Sequence, residues 1–282
     1  MNNVLGSKII RFALVVSLLL LVLSACSETN EKEAVDETKA SSTAEQKNDN
    51  QDKAQNEKLE PPVAASSNQY GTSNLDECEG IRFEKDAIID GNQLASCIMA
   101  AMLKVETGTH KVASDDGPST IVDFQFTPEF SLSADNGETV IIVKDNDGWM
   151  KMPSGKWYSE FDDSDDLDPD ALIASNTIQL TRVFAHPNTI TQFLALTTSW
   201  KVVNQSKVPA EDAFVDKAWQ LVPTEPVIME GTEFTDVELW ITDDYLGAYY
   251  TSTAKMMGMS TTSSDTFMQW GEPVTIVNPM ES

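Results

Sequence analysis

The feature that most constrains the fold is a series of short extended segments separated by turn residues. Apolar and polar residues alternate in segments 120–126 and 130–132, and further short extended segments lie at 139–143, 149–152 and 156–158. Turn-forming residues separate these segments at 135–137 (Asp-Asn-Gly), 145–148 (Asp-Asn-Asp-Gly) and 153–155 (Pro-Ser-Gly). Strands joined by Asn-Gly and Asp-Gly turns pair with their neighbours along the chain, so the pattern predicts an antiparallel meander.

Helical periodicity flanks this meander on both sides. Residues 94–105 place apolar side chains at helical spacing after Asp90, and Gly108 is expected to end that helix. A second helix is predicted to begin at Asp168-Pro169, an N-cap followed by proline, and to run towards residue 186. A third, shorter helix is predicted within 190–197.

The extended pattern returns after the third helix. Predicted strands lie within 200–203, 213–222, 237–242, 246–253, 266–270 and 274–277. Strands, then helices, then strands are typical of an α+β domain with helices on one face of a curved antiparallel sheet. We expect a single domain of this class over residues 73–282.

The charge balance restricts the partners of this domain. The chain has 45 Asp and Glu against 19 Lys and Arg, a net charge of −26. Such a surface lacks the cationic footprint that nucleic-acid binding requires and is repelled by anionic lipid headgroups. Residues 27–66 hold ten acidic residues and five lysines with few large apolar side chains. We therefore predict a disordered tether over 26–72.

The N-terminus has the features of an export signal. Lys8 and Arg11 precede an apolar run at 12–23, which is too short for a membrane span. The residues Leu23-Ser24-Ala25-Cys26 resemble a bacterial lipobox. This resemblance implies a signal peptide at 1–25 and a diacylglyceryl group on Cys26. The expected location is the extracytoplasmic face of the cell membrane, with the membrane as a partner through this anchor.

Two further cysteines, Cys78 and Cys97, remain outside the lipobox. Disulfides persist in exported proteins, so we expect these two to pair. Two buried free thiols are the alternative.

Three local matches resemble the LppX/LprG/LprA-type lipoproteins of actinobacteria and the related LolA carriers. They are Gly148-Trp149-Met150-Lys151 with Gly155-Lys156-Trp157-Tyr158, then 237–246, then 267–276. The order of helix, meander, helix pair and meander also resembles that family. The chain departs from it in its acidity, in its Cys78/Cys97 pair and in an insert at 161–170.

The resemblance implies a half-barrel sheet whose concave face is covered by helices, with an apolar cavity between them. Such proteins hold the acyl chains of a lipid or lipoglycan, for presentation or transfer. It implies no catalytic residues and no cofactor. The expected lining residues are Ile98, Met102, Leu132, Ile142, Ile173, Leu180, Phe184, Phe193 and Leu239. For each of them, ordinary core packing is the alternative.

A second hypothesis is a surface lipoprotein with a filled core that acts as a partner-binding or sensory module, with another envelope protein as its partner. An enzyme is the third and least favoured. No G-x-S-x-G, P-loop or H-E-x-x-H motif is present, and His110 and His186 are far apart in sequence.

Two other segments invite a metal. Residues 162–170 are dense in aspartate, which suits Ca²⁺, but Leu167 stands where an EF-hand would need glycine. A solvated loop preceding the second helix is the favoured interpretation. Met256, Met257 and Met259 offer thioethers that suit Cu(I) or a pliable cavity rim, although a plain strand connection is favoured. We therefore predict no metal site.

Overall fold

The computed structural model describes residues 70–72, 74–144, 146–161, 168–229, 231–256 and 258–281. The helices in this part of the chain are α1 (Gly91–Val105), α2 (Pro169–Phe184) and α3 (Pro187–Leu194), with a short 3-10 helix at Asp76–Cys78. The strands are β1 (Ile88–Asp90), β2 (Thr107–Ser114), β3 (Gly117–Gln125), β4 (Ser131–Asp135), β5 (Val140–Lys144), β6 (Asp147–Lys151), β7 (Trp157–Ser159), β8 (Ser199–Lys207), β9 (Lys217–Pro223), β10 (Val227–Met229), β11 (Thr232–Ile241), β12 (Gly247–Met256) and β13 (Met259–Trp270).

All thirteen strands of the described residues belong to one antiparallel sheet. The strand order is β1-β8-β9-β11-β12-β13-β2-β3-β4-β5-β6-β7, and β10 pairs with β11 outside this path. The sheet is open, because β1 and β7 form its two ends. The predicted α+β class is therefore confirmed. The two meanders meet where β13 pairs with β2.

Helix α1 forms where the apolar spacing predicted it. The side chain of Asp90 accepts a hydrogen bond from the Gln93 backbone N–H at 3.0 Å, which caps the first turn. The helix ends at Val105, and Glu106 takes the left-handed conformation with φ +73°. The predicted stop at Gly108 is wrong, because Gly108 lies inside β2.

Helix α2 begins at Pro169 as predicted, and the carboxylate of Asp168 accepts the Asp170 backbone N–H at 3.0 Å. Helix α3 begins at Pro187, where Nδ1 of His186 accepts the Asn188 backbone N–H at 3.2 Å. Both α2 and α3 therefore have proline at the first position and a side-chain cap just before it. The third helix was predicted to start at residue 190, where the apolar periodicity begins, but it starts three residues earlier, at Pro187.

The predicted disulfide is confirmed. Cys78 in the 3-10 helix is bonded to Cys97 in α1, with a Cα–Cα distance of 4.6 Å. Both residues are buried in the largest core cluster. The bond therefore fixes the segment that precedes β1 against α1.

All three helices lie on the same face of the sheet, which we call the inner face. Val122 and Phe124 point to one side of β3 because alternate side chains share a face. Phe124 belongs to the core cluster under α1 and α3, whereas Val122 belongs to the cluster under α2. A smaller cluster around Trp240 lies on the opposite, outer face.

The packed part of the chain begins slightly before the predicted boundary at residue 73. The hydroxyl of Thr72 is buried and donates to the Asp244 carbonyl at 2.7 Å. The ring of Tyr70 meets that of Phe214 edge-on, with centroids 6.4 Å apart. The predicted signal peptide at 1–25, the lipidated Cys26 and the tether as far as residue 69 lie outside the described residues.

Two local predictions are wrong. Residues 274–277 do not form a strand, since β13 ends at Trp270, Gly271 has φ +72° and Pro273 lacks a backbone donor. Gly148 lies within β6 and is buried, rather than forming a turn. The predicted hairpin itself is present, since β5 and β6 pair with Lys144 opposite Asp147, but Gly148 is part of the strand and lies against helix α2.

Candidate functional site

Four of the nine predicted lining residues lie in packed clusters. Ile98, Met102 and Leu239 belong to the cluster under α1 and α3, and each is at most 6% exposed. Leu132 belongs to the cluster under α2 and is 2% exposed. These four side chains contact other protein atoms on the inner face.

Ile142 lies on the outer face. Its neighbours Ile141 and Val143 belong to the cluster under α2, and successive side chains of a strand point to opposite sides. Ile142 instead pairs with Trp149 of β6, which is also buried. The sequence run Val-Ile-Ile-Val hides this difference because all four residues are apolar.

Helix α2 is oriented by polar contacts on one of its flanks. The hydroxyl of Ser175 donates to the Glu160 carbonyl at 2.9 Å, and Arg182 forms an ion pair with the Glu160 carboxylate. Glu160 directly follows β7, the edge strand. This flank of α2 therefore faces the edge of the sheet.

The remaining predicted residues of α2 lie on the opposite flank, at the i, i+7 and i+11 spacing of one helix side. Ile173 is 39% exposed, while Leu180 and Phe184 are partly buried. Because the other flank faces the sheet edge, this one faces the middle strands. Phe193 of α3 is also partly buried and contacts Phe234 and Tyr250 from the other side.

Between α2 and α3 the inner face carries polar side chains, which we call the inner strip: His110, Asp265 and Tyr250. Nδ1 of His110 lies 3.2 Å from Oδ1 of Asp265. The Nδ1 atom is buried and makes no hydrogen bond, so the pair is a close approach rather than a bonded pair. The His110 ring stacks on Phe267 with centroids 5.3 Å apart. Asp265 pairs with Tyr250 across β12 and β13.

Burial raises the pKa of the Tyr250 hydroxyl above its ordinary value, and the negative charge of Asp265 adds to this effect. A hydrogen bond with Ser252 acts in the opposite direction. Tyr250 is therefore a neutral donor at physiological pH. The inner strip can offer hydroxyl and carboxylate groups beside the apolar flank of α2.

A groove of about 540 Å³ lies on the outer face, between the loop 208–216 and strands β2, β12 and β13. An ion pair joins Lys111 of β2 to Asp212 of the loop. The hydrogen bond from Lys111 lowers the pKa of the Asp212 carboxyl, while partial burial acts against it. We call this the outer groove.

A second groove of about 310 Å³ lies at the tips of two hairpins. It includes Met256 and Met259, and the hydroxyl of Thr232 lies 3.6 Å from the sulfur of Met256. Met257 lies outside the described residues. Both grooves are open to solvent, and neither lies between the helices and the sheet.

The acidic loop 162–167 lies outside the described residues, but Asp168 and Asp170 are described. Besides capping α2, Asp168 accepts hydrogen bonds from Lys156 at 3.2 Å and from the Tyr158 hydroxyl at 3.1 Å. Burial is the largest single influence on the pKa of Asp168 and raises it, but the hydrogen bonds from the Asp170 backbone, Lys156 and Tyr158 together lower the pKa below its ordinary value. Within the described ranges, no group of three or more His, Cys, Asp or Glu side chains could hold a metal ion.

The outer groove and the inner strip were not anticipated from the sequence. Lys111 and Asp212 are 101 residues apart, and His110 and Asp265 meet only because β13 pairs with β2. A single sequence carries no signal for such long-range pairs. Ordinary strand alternation at 107–114 could have placed His110 and Lys111 on opposite faces.

Comparison with known proteins adds no identity. No protein-family model matches the chain, and no curated protein matches it significantly. Among the described helices, none has the length and apolar character needed to cross a bilayer.

Proposed function

We propose that this protein is a lipid-anchored protein of the extracytoplasmic face of the cell membrane that binds the acyl chains of a lipid or lipoglycan on the inner face of its sheet. The lipobox-like residues before Cys26 support the anchor. The resemblance to LolA-like and LprG-like lipoproteins supports a half-barrel sheet with helices on its concave face. The protein is proposed not to be an enzyme, because holding acyl chains requires an apolar surface that shields them from water and requires no reacting group.

One observation carries the proposal. Three apolar residues of α2, Ile173, Leu180 and Phe184, stay partly exposed on the flank that faces the middle of the sheet. When an alkyl chain covers a partly exposed apolar side chain, the surface that leaves water contributes a favourable free energy of about 25 cal/mol per Å². Phe193 of α3 offers a second apolar surface opposite this flank.

The proposed site differs from an enclosed cavity. In the described part of the chain, Ile98, Met102, Leu132 and Leu239 are packed against other residues. An alkyl chain would therefore lie in an open trough between α2 and α3.

The second candidate function is a partner-binding module with a filled core. Leu172 and Val183 favour it, because they lie on the side of α2 away from the sheet and are 63% and 47% exposed. Exposed apolar side chains on one side of a helix are typical of protein-binding surfaces. The two candidates therefore use different sides of the same helix.

Matched substitutions on α2 separate the two functions. Full-length protein is purified from membranes, and co-purifying lipid is extracted and identified by mass spectrometry. Leu180→Arg should abolish co-purification because it places a charge in the trough, whereas Val183→Arg should leave it intact. Circular dichroism and thermal unfolding check that both variants fold.

Absence of a stoichiometric lipid from the wild-type protein would contradict acyl-chain binding. So would equal lipid loss in both variants. A protein partner cross-linked to the wild type and lost only in Val183→Arg would support the partner-binding module instead.

A further inference from the structure

The outer groove is built by a loop that folds back over the sheet. The backbone N–H of Val208 donates to the Asp216 carbonyl at 2.9 Å, which closes the base of the loop 208–216. The N–H of Phe214 donates to the Phe267 carbonyl at 2.9 Å, which joins the loop to β13. These bonds hold the loop against the strands, so the groove is formed without a ligand.

The groove has the size of a small-molecule site. Its volume of about 540 Å³ falls within the roughly 300–1,000 Å³ that is usual for ligand pockets. Its lining consists of Lys111, Ala113, Pro209, Ala210, Glu211, Asp212, Tyr249, Ser264 and Thr266. This set combines one aromatic ring, two carboxylates, one ammonium and two hydroxyl side chains.

Tyr249 provides a rigid aromatic surface. Its ring packs edge-on against Trp240, with centroids 5.4 Å apart, and the residue remains partly exposed. Tyr249 lies beside Thr266, and Thr266 lies beside Lys111, in the register of β12, β13 and β2. The ring, a hydroxyl and the ion-paired ammonium therefore form one row across the floor.

The charges restrict the ligand. Two carboxylates, Glu211 and Asp212, disfavour an anionic ligand, and the paired Lys111 offers no free cationic site. A purely apolar ligand would remove water from these charged groups, and it could not replace the hydrogen bonds that they make to that water. The lining instead suits a neutral molecule that has an apolar face and several hydroxyl groups around it.

We infer that the outer groove is a carbohydrate-binding site that takes a neutral sugar. The C–H face of a sugar ring would pack on Tyr249, and its hydroxyl groups would donate to the carboxylates of Glu211 and Asp212 and accept from Lys111. Binding here is separate from acyl-chain binding, since Tyr249 and the proposed trough lie on opposite faces of the sheet.

The surface beside the groove would accommodate more than one sugar. Ser264 in the groove pairs with Thr251 of β12, and the next pair outward is Thr253 with Thr262. The hydroxyl oxygens of this outward pair are 3.1 Å apart and exposed. A row of hydroxyl side chains therefore continues from the groove, so the site fits an oligosaccharide.

The test titrates full-length protein in detergent with N-acetylglucosamine tetramer, mannotetraose and maltotetraose, using calorimetry and chemical-shift changes. At least one should bind with a dissociation constant at or below about 1 mM. Ala113→Leu, which fills the groove, and Tyr249→Ala, which removes the ring, should each weaken that binding at least about tenfold. Phe161→Ala removes an aromatic ring that is 67% exposed outside the groove and serves as the control.

Thermal unfolding checks that each variant is folded, and Ala113→Leu keeps the test valid if Tyr249→Ala does not fold. Binding weakened by every folded groove variant and unchanged in Phe161→Ala supports the site. Failure of all three sugars to bind, or binding that a folded groove variant leaves unchanged, overturns it. Leu180→Arg should not alter sugar binding, so failure of the acyl-chain proposal and failure of this one are distinguishable.

Discussion

Ile178 of α2 lies directly over Gly148 of β6. A Cβ atom built on Gly148 would come within 2.1 Å of Cγ2 of Ile178 and within 3.0 Å of the Glu160 carboxylate. Only glycine allows this approach, and Ile178 is fully buried as a result. The contact fixes the distance of α2 from the sheet.

Gly148→Ala should therefore destabilise the domain by about 1–3 kcal/mol, the usual cost of overpacking. Ile178→Ala alone should also destabilise it, because it leaves a cavity. In the double variant the alanine methyl at 148 has room, so the two effects should not add. Urea unfolding of the four proteins measures this coupling, and simple additivity would contradict the contact.

Arg182→Met should cost about 3 kcal/mol, because it leaves the Glu160 carboxylate buried and without its ion pair. The Glu160 side chain is 6% exposed, whereas that of Arg182 is 25% exposed. Adding Glu160→Gln to Arg182→Met should recover part of the loss, since the buried charge is gone. Equilibrium unfolding checks the order of stability, and no recovery in the double variant would contradict this explanation.

Removal of the disulfide by Cys78→Ser with Cys97→Ser should lower the free energy of unfolding by about 3 kcal/mol, because the bond closes a loop with a sequence separation of 19. Dithiothreitol should lower the melting temperature of the wild type but not that of the variant. An unchanged wild-type melting temperature under reducing conditions would show that the bond contributes little to stability.

Tyr250 should make the stability sensitive to alkaline pH. Burial raises the pKa of Tyr250 above its ordinary value of 10.0, so the folded state keeps the proton more tightly than the unfolded state does. This contribution is fully present below pH 10 and is lost as the pH rises further. Relative to Tyr250→Phe, the wild type should lose stability above about pH 10. Parallel curves of melting temperature against pH would refute this.

Asp212 should make the stability of the folded domain sensitive to acidic pH. The hydrogen bond from Lys111 lowers the pKa of Asp212 below its ordinary value of 3.8. The resulting stabilisation is present above the unfolded-state value and is lost as the pH falls through the folded-state value. The advantage of the wild type over Asp212→Asn should shrink below about pH 4, and 1 M NaCl should reduce it at neutral pH. Lys111→Met should behave like Asp212→Asn.

Local signals predicted much of the fold. The spacing of Leu94, Ile98 and Met102 and the Asp168-Pro169 start gave the positions of α1 and α2, because these patterns act within one or two helical turns. Strand β2 was missed because 107–114 alternates poorly between apolar and polar residues. In the sheet β2 lies between β3, the next strand along the chain, and β13, which is distant in sequence. Its position therefore depends partly on a long-range pairing.

The candidate sites were less predictable for the same reason. Leu180 and Leu132 look alike in sequence, yet Leu180 is only partly buried and Leu132 is packed, because Leu132 lies on a part of the sheet that a helix covers. Ile142 and Ile141 differ only in which side of β5 they occupy. The outer groove depends on a loop that pairs with β13 and on an ion pair between distant residues.

The bond between Thr72 and the Asp244 carbonyl gives the domain a defined point of attachment. Asp244 lies in the turn between β11 and β12, and β12 runs from that turn for ten residues to the hairpin that holds Met259. At about 3.4 Å per residue this is a distance of about 34 Å. Under the proposed anchor at Cys26, the tether would join the packed domain beside this turn. The methionine hairpin lies at the opposite end of β12 from that point of attachment.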